Sequence, residues 1–451
     1  MQVTETLSEG LKREFKVTVP ASELDARLNA RLDSLKNEVR LKGFRPGKVP
    51  VDHLRRLFGK STMAEIVNDV IGEVARNTIS ERGERAALQP DFKLSEDEKE
   101  ADQVLAGKHD LTYTMSYEVL PKVELKDFKS VSVERPVAEV KDEEVDEELR
   151  KLAETTRTFT AKDGKAADGD RVTVSYVGKI DGEAFPGGTD ENAQIRLGTT
   201  QLIPGFAEQI VGMAAGDEKT ISVTFPENYG AANLAGKPAT FDIKVKEVAG
   251  PDELKIDDDL AKKLGLESLE KVRGLIKQQI QNQYGNTSRL RVKRQLLDQL
   301  DELHKFELPP TMVEREFDSI WREVNADLKQ SGKTFSDEGT TEEAATADYR
   351  KIAERRVRLG LVLSEIGERN KIEVTDEEAQ RALQAQLRQY PGQEKALIDY
   401  YRQNPNALAS IRAPIFEEKV VDYLLELVKV TDKPVSREDL MREDEDEKAT
   451  A

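Results

Sequence analysis

The hydrophobic period of this chain changes twice, and no other property of the sequence limits the possible folds as strongly. Leu24, Leu28, Leu32, Leu35 and Val39 recur at steps of four, four, three and four, which puts them on one face of an amphipathic helix. A second helical pattern runs from Met63 through Ile66, Val70 and Val74 to Ile79. Between Asp170 and Val248 the period falls to two. Val172, Val174 and Tyr176 alternate with Thr173, Ser175 and Val177; Ile221, Val223 and Phe225 with Ser222 and Thr224; Phe241, Ile243 and Val245 with Asp242, Lys244 and Lys246. Such alternation describes a half-exposed antiparallel sheet. From about residue 252 the helical period returns, with Met312, Val313, Phe317, Ile320, Trp321, Val324 and Leu328 in one stripe entered through Pro309-Pro310. Shorter alternations at residues 1–20 (Phe15, Val17, Val19) and 111–119 add strands to the N-terminal part. The order predicts an α+β multidomain chain: an N-terminal α/β domain, a small antiparallel β domain with a short helix, and an elongated all-α C-terminal body.

A length of 451 residues is long for one core and suggests two to four domains. Charged residues are 35% of the chain, against roughly a quarter in an average globular protein. The helices therefore carry thin apolar stripes and polar remainders, as in IKQQIQNQYGN at 276–286, a pattern suited to open cradles. The absence of cysteine excludes disulfides, thiolate catalysis and zinc–thiolate sites, and His53, His109 and His304 are too scattered to suggest a metal site. No cofactor is expected. No stretch approaches the ~20 apolar residues of a membrane span, so a soluble, cytoplasmic protein with no membrane partner is expected. The net charge of −18 argues against general nucleic-acid binding.

That charge is uneven. Between Val39 and Lys60 the cations Arg40, Lys42, Arg45, Lys48, Arg55, Arg56 and Lys60 face the single anion Asp52. In the middle of this patch lies Gly43-Phe44-Arg45-Pro46-Gly47-Lys48-Val49-Pro50, a loop between the two helices whose glycines and prolines forbid continuation. The simple reading is a turn whose Phe44 packs into the core. Against it stand the loop's length and the cations crowding toward its tip. An exposed aromatic beside an arginine suits docking onto a mixed RNA and protein surface. Gly43, Phe44, Arg45, Gly47 and Pro50, as Gly-Phe-Arg-x-Gly-x-x-Pro, resemble the ribosome-docking signature of bacterial trigger factor. The resemblance implies a loop tip that binds beside the polypeptide exit tunnel of the large ribosomal subunit, contacting protein and rRNA through Gly43, Phe44, Arg45, Pro46, Gly47 and Lys48. Pro46 stands where the family often has lysine; Lys42 and Lys48 partly restore the charge.

The β segment is similar to FKBP-type peptidyl-prolyl isomerases. The match is strongest at Leu202-Ile203-Pro204-Gly205-Phe206, followed by Glu208, Gly212 and Met213. The resemblance implies a shallow apolar pocket: Tyr176 and Phe185 in its wall, Leu202 and Ile203 as an aliphatic pair, Phe206 as floor, with Tyr229 and Phe241 completing it. Phe225 reads as sheet core. Pro204 is expected in the first turn of the short helix. Two positions depart from the family pattern, Pro186 where an acidic residue is common and Ala193 where an aromatic is, which implies a less closed pocket.

The resemblance to trigger factor covers essentially the whole chain. It implies a docking domain over 1–115, a connector over 116–156 that joins the body, an isomerase domain over 157–249, a helical chaperone domain with arms over 250–434, and a disordered acidic tail over 435–451. The segment 331–345 reads as a mobile loop. The implied partners are the ribosome and nascent or unfolded polypeptides, with a weak homodimer away from the ribosome. The implied function is a chaperone that holds chains without ATP, assists export and isomerises X–Pro bonds; no Gly-rich phosphate loop of the Walker type is present. Two other readings use the same residues: a free isomerase whose helices recruit clients, and an interaction module with a decayed pocket.

Overall fold

The computed structural model describes residues 1–39, 41, 44, 48–95, 97–198, 203–227, 229–231 and 234–442, and of Pro405 and Asn406 only the backbone. The chain divides into two compact units, Met1–Val137 with Ser288–Ala451, and Ala138–Thr287.

The first unit begins with a hairpin of β1 (Gln2–Glu9) and β2 (Lys12–Val19), followed by α1 (Ala21–Glu38), α2 (Val51–Glu81), β3 (Asp91–Leu94), α3 (Glu98–Leu105) and β4 (Leu111–Glu118). The sheet order is β1-β2-β4-β3. Residues 1–20, expected as one alternating segment, are thus two strands, because Gly10 takes a φ of +51° and turns the chain. The expected faces are the buried ones. Phe15, Val17 and Val19 of β2 and Leu111, Tyr113, Met115 and Tyr117 of β4 meet Leu24, Leu28 and Leu32 of α1 and the long apolar face of α2. Full burial of each such side chain contributes about 1.5–3 kcal/mol. Helix α2 starts a dozen residues before the pattern at Met63, with Pro50 at its N-cap.

The connector is built in two pieces. A 3₁₀ turn (Phe128–Ser130) leads into β5 (Ser132–Val137), which belongs to the first unit; α4 (Asp142–Thr155) belongs to the second and buries Leu149 and Ala153 against Leu260 and Val272.

The β domain contains β6 (Phe159–Ala161), β7 (Arg171–Ile180), β8 (Glu183–Arg196), α5 (Phe206–Ile210), β9 (Glu218–Thr224) and β10 (Pro238–Pro251). The strand order is β6-β10-β7-β8, with β9 paired to β10, and every pairing is antiparallel. Asp181 and Gly182, at φ +52° and +86°, form the two-residue turn between β7 and β8, a turn that needs positive φ at both positions and so favours Asp-Gly.

The helical part runs α6 (Asp258–Lys263), α7 (Leu269–Leu303), α8 (Pro310–Ser331), α9 (Glu342–Asn370), α10 (Asp376–Leu387), α11 (Glu394–Gln403) and α12 (Pro405–Leu427). Val313, Phe317 and Ile320 of α8 pack on Ala353 and Val357 of α9, so the Met312–Phe317–Trp321 stripe is core. The expected mobile loop has fixed points: Phe335 stacks on Trp321 with ring centroids 5.3 Å apart, and Thr341 caps α9. One strand departs from the all-α expectation. β11 (Lys429–Pro434) pairs in parallel with β5, and Arg135 on β5 holds Asp432 at 2.6 Å. The tail expected from 435 begins instead with α13 (Arg437–Met441), whose Leu440 is fully buried. Residues 443–451 lie outside the described residues.

Candidate functional site

The aromatic residues singled out in the β domain come from β7, β8, α5, β10 and the segment after β9, and meet in one cluster. Strand β7 supplies Tyr176, opposite Ile243 of β10; two residues on, Gly178 lies opposite Phe241. The Phe241 ring stands edge-on to Tyr176 at 5.8 Å, to Phe206 at 5.2 Å and to Phe185 at 6.1 Å. Tyr176 also meets Phe206 at 6.1 Å. Phe225, at the end of β9, touches Phe185 at 6.0 Å and Tyr229 at 4.7 Å. Six rings are thereby linked. Edge-to-face pairs of this kind contribute ~0.5–1.5 kcal/mol each beyond burial, which fixes the cluster before any ligand arrives.

Exposure is graded across it. Phe206, Phe225 and Phe241 are buried and form a floor; Tyr176, Phe185 and Ile203 are half-buried and form walls; Tyr229 is 39% exposed and forms a rim. Phe225, read as sheet core, is buried as expected, yet it joins a wall to the rim, so core and pocket are continuous here. Ala193 is half-buried beside the cluster and Pro186 is exposed. Leu202 lies outside the described residues.

Two glycines that sequence reasoning left without a role set the position of Phe185. A Cβ on Gly178 would lie 2.6 Å from the Phe241 ring and 2.8 Å from that of Phe185; one on Gly188 would lie 2.7 Å from Phe185. The Phe185 ring therefore rests against bare backbone on two sides. Phe206 is placed by a turn: its N–H donates to the Ile203 carbonyl at 3.0 Å, Pro204 sits second and Gly205, at φ +83°, third. Pro second and glycine at positive φ third are what a type II turn requires. Pro204 thus precedes α5 rather than opening it, which corrects the expectation.

Burial, and after it the negative charge of Asp190, hold the Tyr176 phenol above its ordinary value, so it is a neutral O–H at neutral pH.

The loop between α1 and α2 is a second candidate. Gly43, Arg45, Pro46 and Gly47 lie outside the described residues. Phe44 is described, and it does not enter the core: it is 37% exposed, its N–H donates to the Leu41 carbonyl at 3.2 Å, and its ring lies 5.1 Å from that of His53. Lys48 is exposed; Val49 beside it is buried. Two cations of the patch are spent internally, Arg55 on Asp25 and Lys60 on Asp102 at 3.0 Å. Lys48 and Arg56 have no ion-pair partner among the described residues. A groove of about 470 Å³ between the start of α10 and α12, lined mainly by Val374, Ala409, Ala413 and Phe416, went unnoticed in the sequence because its residues are ordinary helix formers. Among the described residues no helix is long and apolar enough to cross a membrane, and no cluster of metal-ligating side chains occurs.

Comparison with known proteins matches three segments of the chain. Residues 1–152 match the family "bacterial trigger factor protein (TF)", residues 162–246 "FKBP-type peptidyl-prolyl cis-trans isomerase", and residues 268–426 "bacterial trigger factor protein (TF) C-terminus". The chain is 58% identical to trigger factor of Allorhizobium ampelinum over 446 residues, 99% of this chain and 90% of that protein. It is 58% identical to trigger factor of Brucella abortus over 443 residues, 98% and 94% of the two chains. A solved structure reported under the words "Promiscuous Substrate Recognition in Folding and Assembly Activities of the Trigger Factor Chaperone" superposes with a TM-score of 0.56 over 94% of this chain and 99% of that one, at 20% identity, which speaks to the fold.

Proposed function

The chain belongs to the trigger factor family, and from that premise we propose that it docks on the ribosome, holds emerging polypeptides without ATP, assists their export and turns over X–Pro bonds in the aromatic pocket. The observation that carries the enzymatic part is the ring cluster with a buried floor and an exposed rim, lying within an FKBP-type segment. Rotation about a peptide bond meets a barrier of ~18–20 kcal/mol because planarity carries resonance energy. The twisted bond has lost that resonance and is less polar at nitrogen. A dry aromatic pocket binds it more tightly than either planar isomer, and that difference is sufficient catalysis. Each 1.36 kcal/mol of it is worth about tenfold in rate. Phe206 and Phe241 provide the floor on which the proline ring rests, Ile203 and Leu202 the aliphatic edge, Tyr176, Phe185 and Tyr229 the walls and rim.

Docking uses the loop from Gly43 to Lys48. Phe44 enters an apolar slot of the large subunit beside the exit tunnel, while Arg45 and Lys48 pair with phosphate or carboxylate groups of rRNA and ribosomal protein. The support is the exposure of Phe44 and of Lys48, which has no ion-pair partner among the described residues. The same exposed ring is the reason to expect a weak homodimer away from the ribosome, with Phe44 covered. The setting is the cytoplasm, where nascent chains emerge. The apolar groove along α12 supports weak, sequence-tolerant holding of unfolded segments.

One experiment tests both halves. The native chain, Phe44→Ala/Arg45→Ala and Phe206→Leu are compared for binding to purified ribosomes and for turnover of a prolyl peptide. Interface anchors of this kind are worth about 2 kcal/mol or more, so the double variant should bind at least ~30-fold more weakly while keeping its turnover. Phe206→Leu, which nearly conserves volume, should bind ribosomes normally and lose turnover. Absence of ribosome binding by the native chain at low salt rejects docking; full turnover by Phe206→Leu rejects the pocket.

A further inference from the structure

On the reading that Phe44 is the docking anchor, the geometry points to His53 as the residue that positions it. The loop is tied down at both ends. Leu41 packs on the domain core before it, and Val49 is buried after it. Between these points Phe44 makes a ring contact with His53, the one such contact among the described residues, at 5.1 Å between centroids and a tilt of 40°. The backbone that carries His53 is fixed. It lies in the first turn of α2, its N–H donates to the Pro50 carbonyl at 3.0 Å, and Pro50 caps the helix. The next residue, Leu54, is fully buried and locks that turn to the core. A phenylalanine without a neighbour would lose its rotamer freedom on binding; one already resting on a ring carried by a helix has lost part of it beforehand. Immobilising such a side chain costs enough to change affinity by about three- to tenfold. His53 thus acts through Phe44: it gives the ring a neighbour carried by the helix, which agrees with a ring that is 37% exposed rather than free.

The test is a double-mutant cycle on the full chain, read as the dissociation constant for purified ribosomes. His53→Ala is expected to weaken binding about three- to tenfold, and His53→Phe, which keeps a flat ring at that place, to restore it. In a Phe44→Ala background, His53→Ala is expected to have no further effect, because the ring it holds is gone. Prolyl turnover and the melting temperature serve as controls for folding and should not move. Equal binding by His53→Ala and the native chain, in a preparation where Phe44→Ala is weakened, overturns the positioning role and leaves docking intact. So does an undiminished effect of His53→Ala in the Phe44→Ala background, since His53 would then act by its own contact. Failure of the native chain to bind at all removes the docking reading, and the proposal with it.

Discussion

Phe185 has almost no freedom of its own. Its ring faces Phe241 and Phe225 edge-on, and the backbones of Gly178 and Gly188 close its other sides. Gly178→Ala should therefore push the Phe241 and Phe185 rings apart and cost about 1–3 kcal/mol of stability, the usual price of overpacking. The same displacement should lower turnover of a prolyl peptide several-fold at a temperature where the variant is fully folded; unchanged turnover would show that the Phe185 position does not matter to the reaction. The aromatic residues of this cluster were legible in the sequence because rings are conspicuous. The glycines were not, because a missing side chain has a role only when the neighbour that fills its place is known. For Phe225 alternation correctly says that the residue is buried, but not which rings it touches once there.

Among the elements, α9 offers an internal comparison. Gly367 is buried, and a Cβ there would fall 2.2 Å from the Phe416 ring of α12; Gly360 on the same helix is exposed and faces open space. Gly367→Ala should force α9 and α12 apart and lower stability by ~1–3 kcal/mol. Gly360→Ala should raise it by up to about 1 kcal/mol through helix propensity. Denaturant melts of the two variants decide this, and equal effects would refute the close packing. Helix α10 carries a capping box, Thr375 with Glu378, and Lys419 of α12 reaches the same carboxylate at 2.9 Å. The Thr375 N–H, joined by Lys419, pulls the Glu378 carboxyl down to about 2. Its unfolded value is about 4.3, so the stabilisation is complete above that pH and is lost as pH falls toward 2. Glu378→Gln should flatten the pH dependence of the melt within that window and leave it unchanged near pH 7 apart from a constant offset. The box could be read from Thr-Asp-Glu-Glu by anyone looking for a helix start. Its partner Lys419, more than forty residues on, could not.

At the scale of the molecule, the chain leaves its first unit after Val137 and returns to it at Ser288, and the two crossing points are joined by a hydrogen bond from the Ser288 hydroxyl to the Pro136 carbonyl at 2.6 Å. Strand β5 ends at this point, and its only strand partner among the described residues is β11, supplied by the far end of the sequence. Val131 and Val133 beside it pack on Leu424 and Val428. A chain ended at Val428 should lose this pairing and melt at lower temperature, while prolyl turnover, which belongs to the other unit, should persist. Simultaneous loss of both in a chain that remains folded would show that the units depend on each other.

The sequence by itself determined the long amphipathic helices and the alternating strands of the β domain, since period is a local property, and it singled out a candidate docking loop and a candidate aromatic site, since motifs are read in order along the chain. Tertiary structure decided the rest. It showed that residues 1–20 fold back on themselves, that a strand after residue 428 returns to pair with the connector, that Arg55 and Lys60 are occupied by Asp25 and Asp102, and that Phe44 rests on His53 rather than in the core. All four depend on contacts between residues that local periodicity cannot relate, because a hydrogen bond, an ion pair or a ring contact is fixed by distance in space and not by distance along the chain.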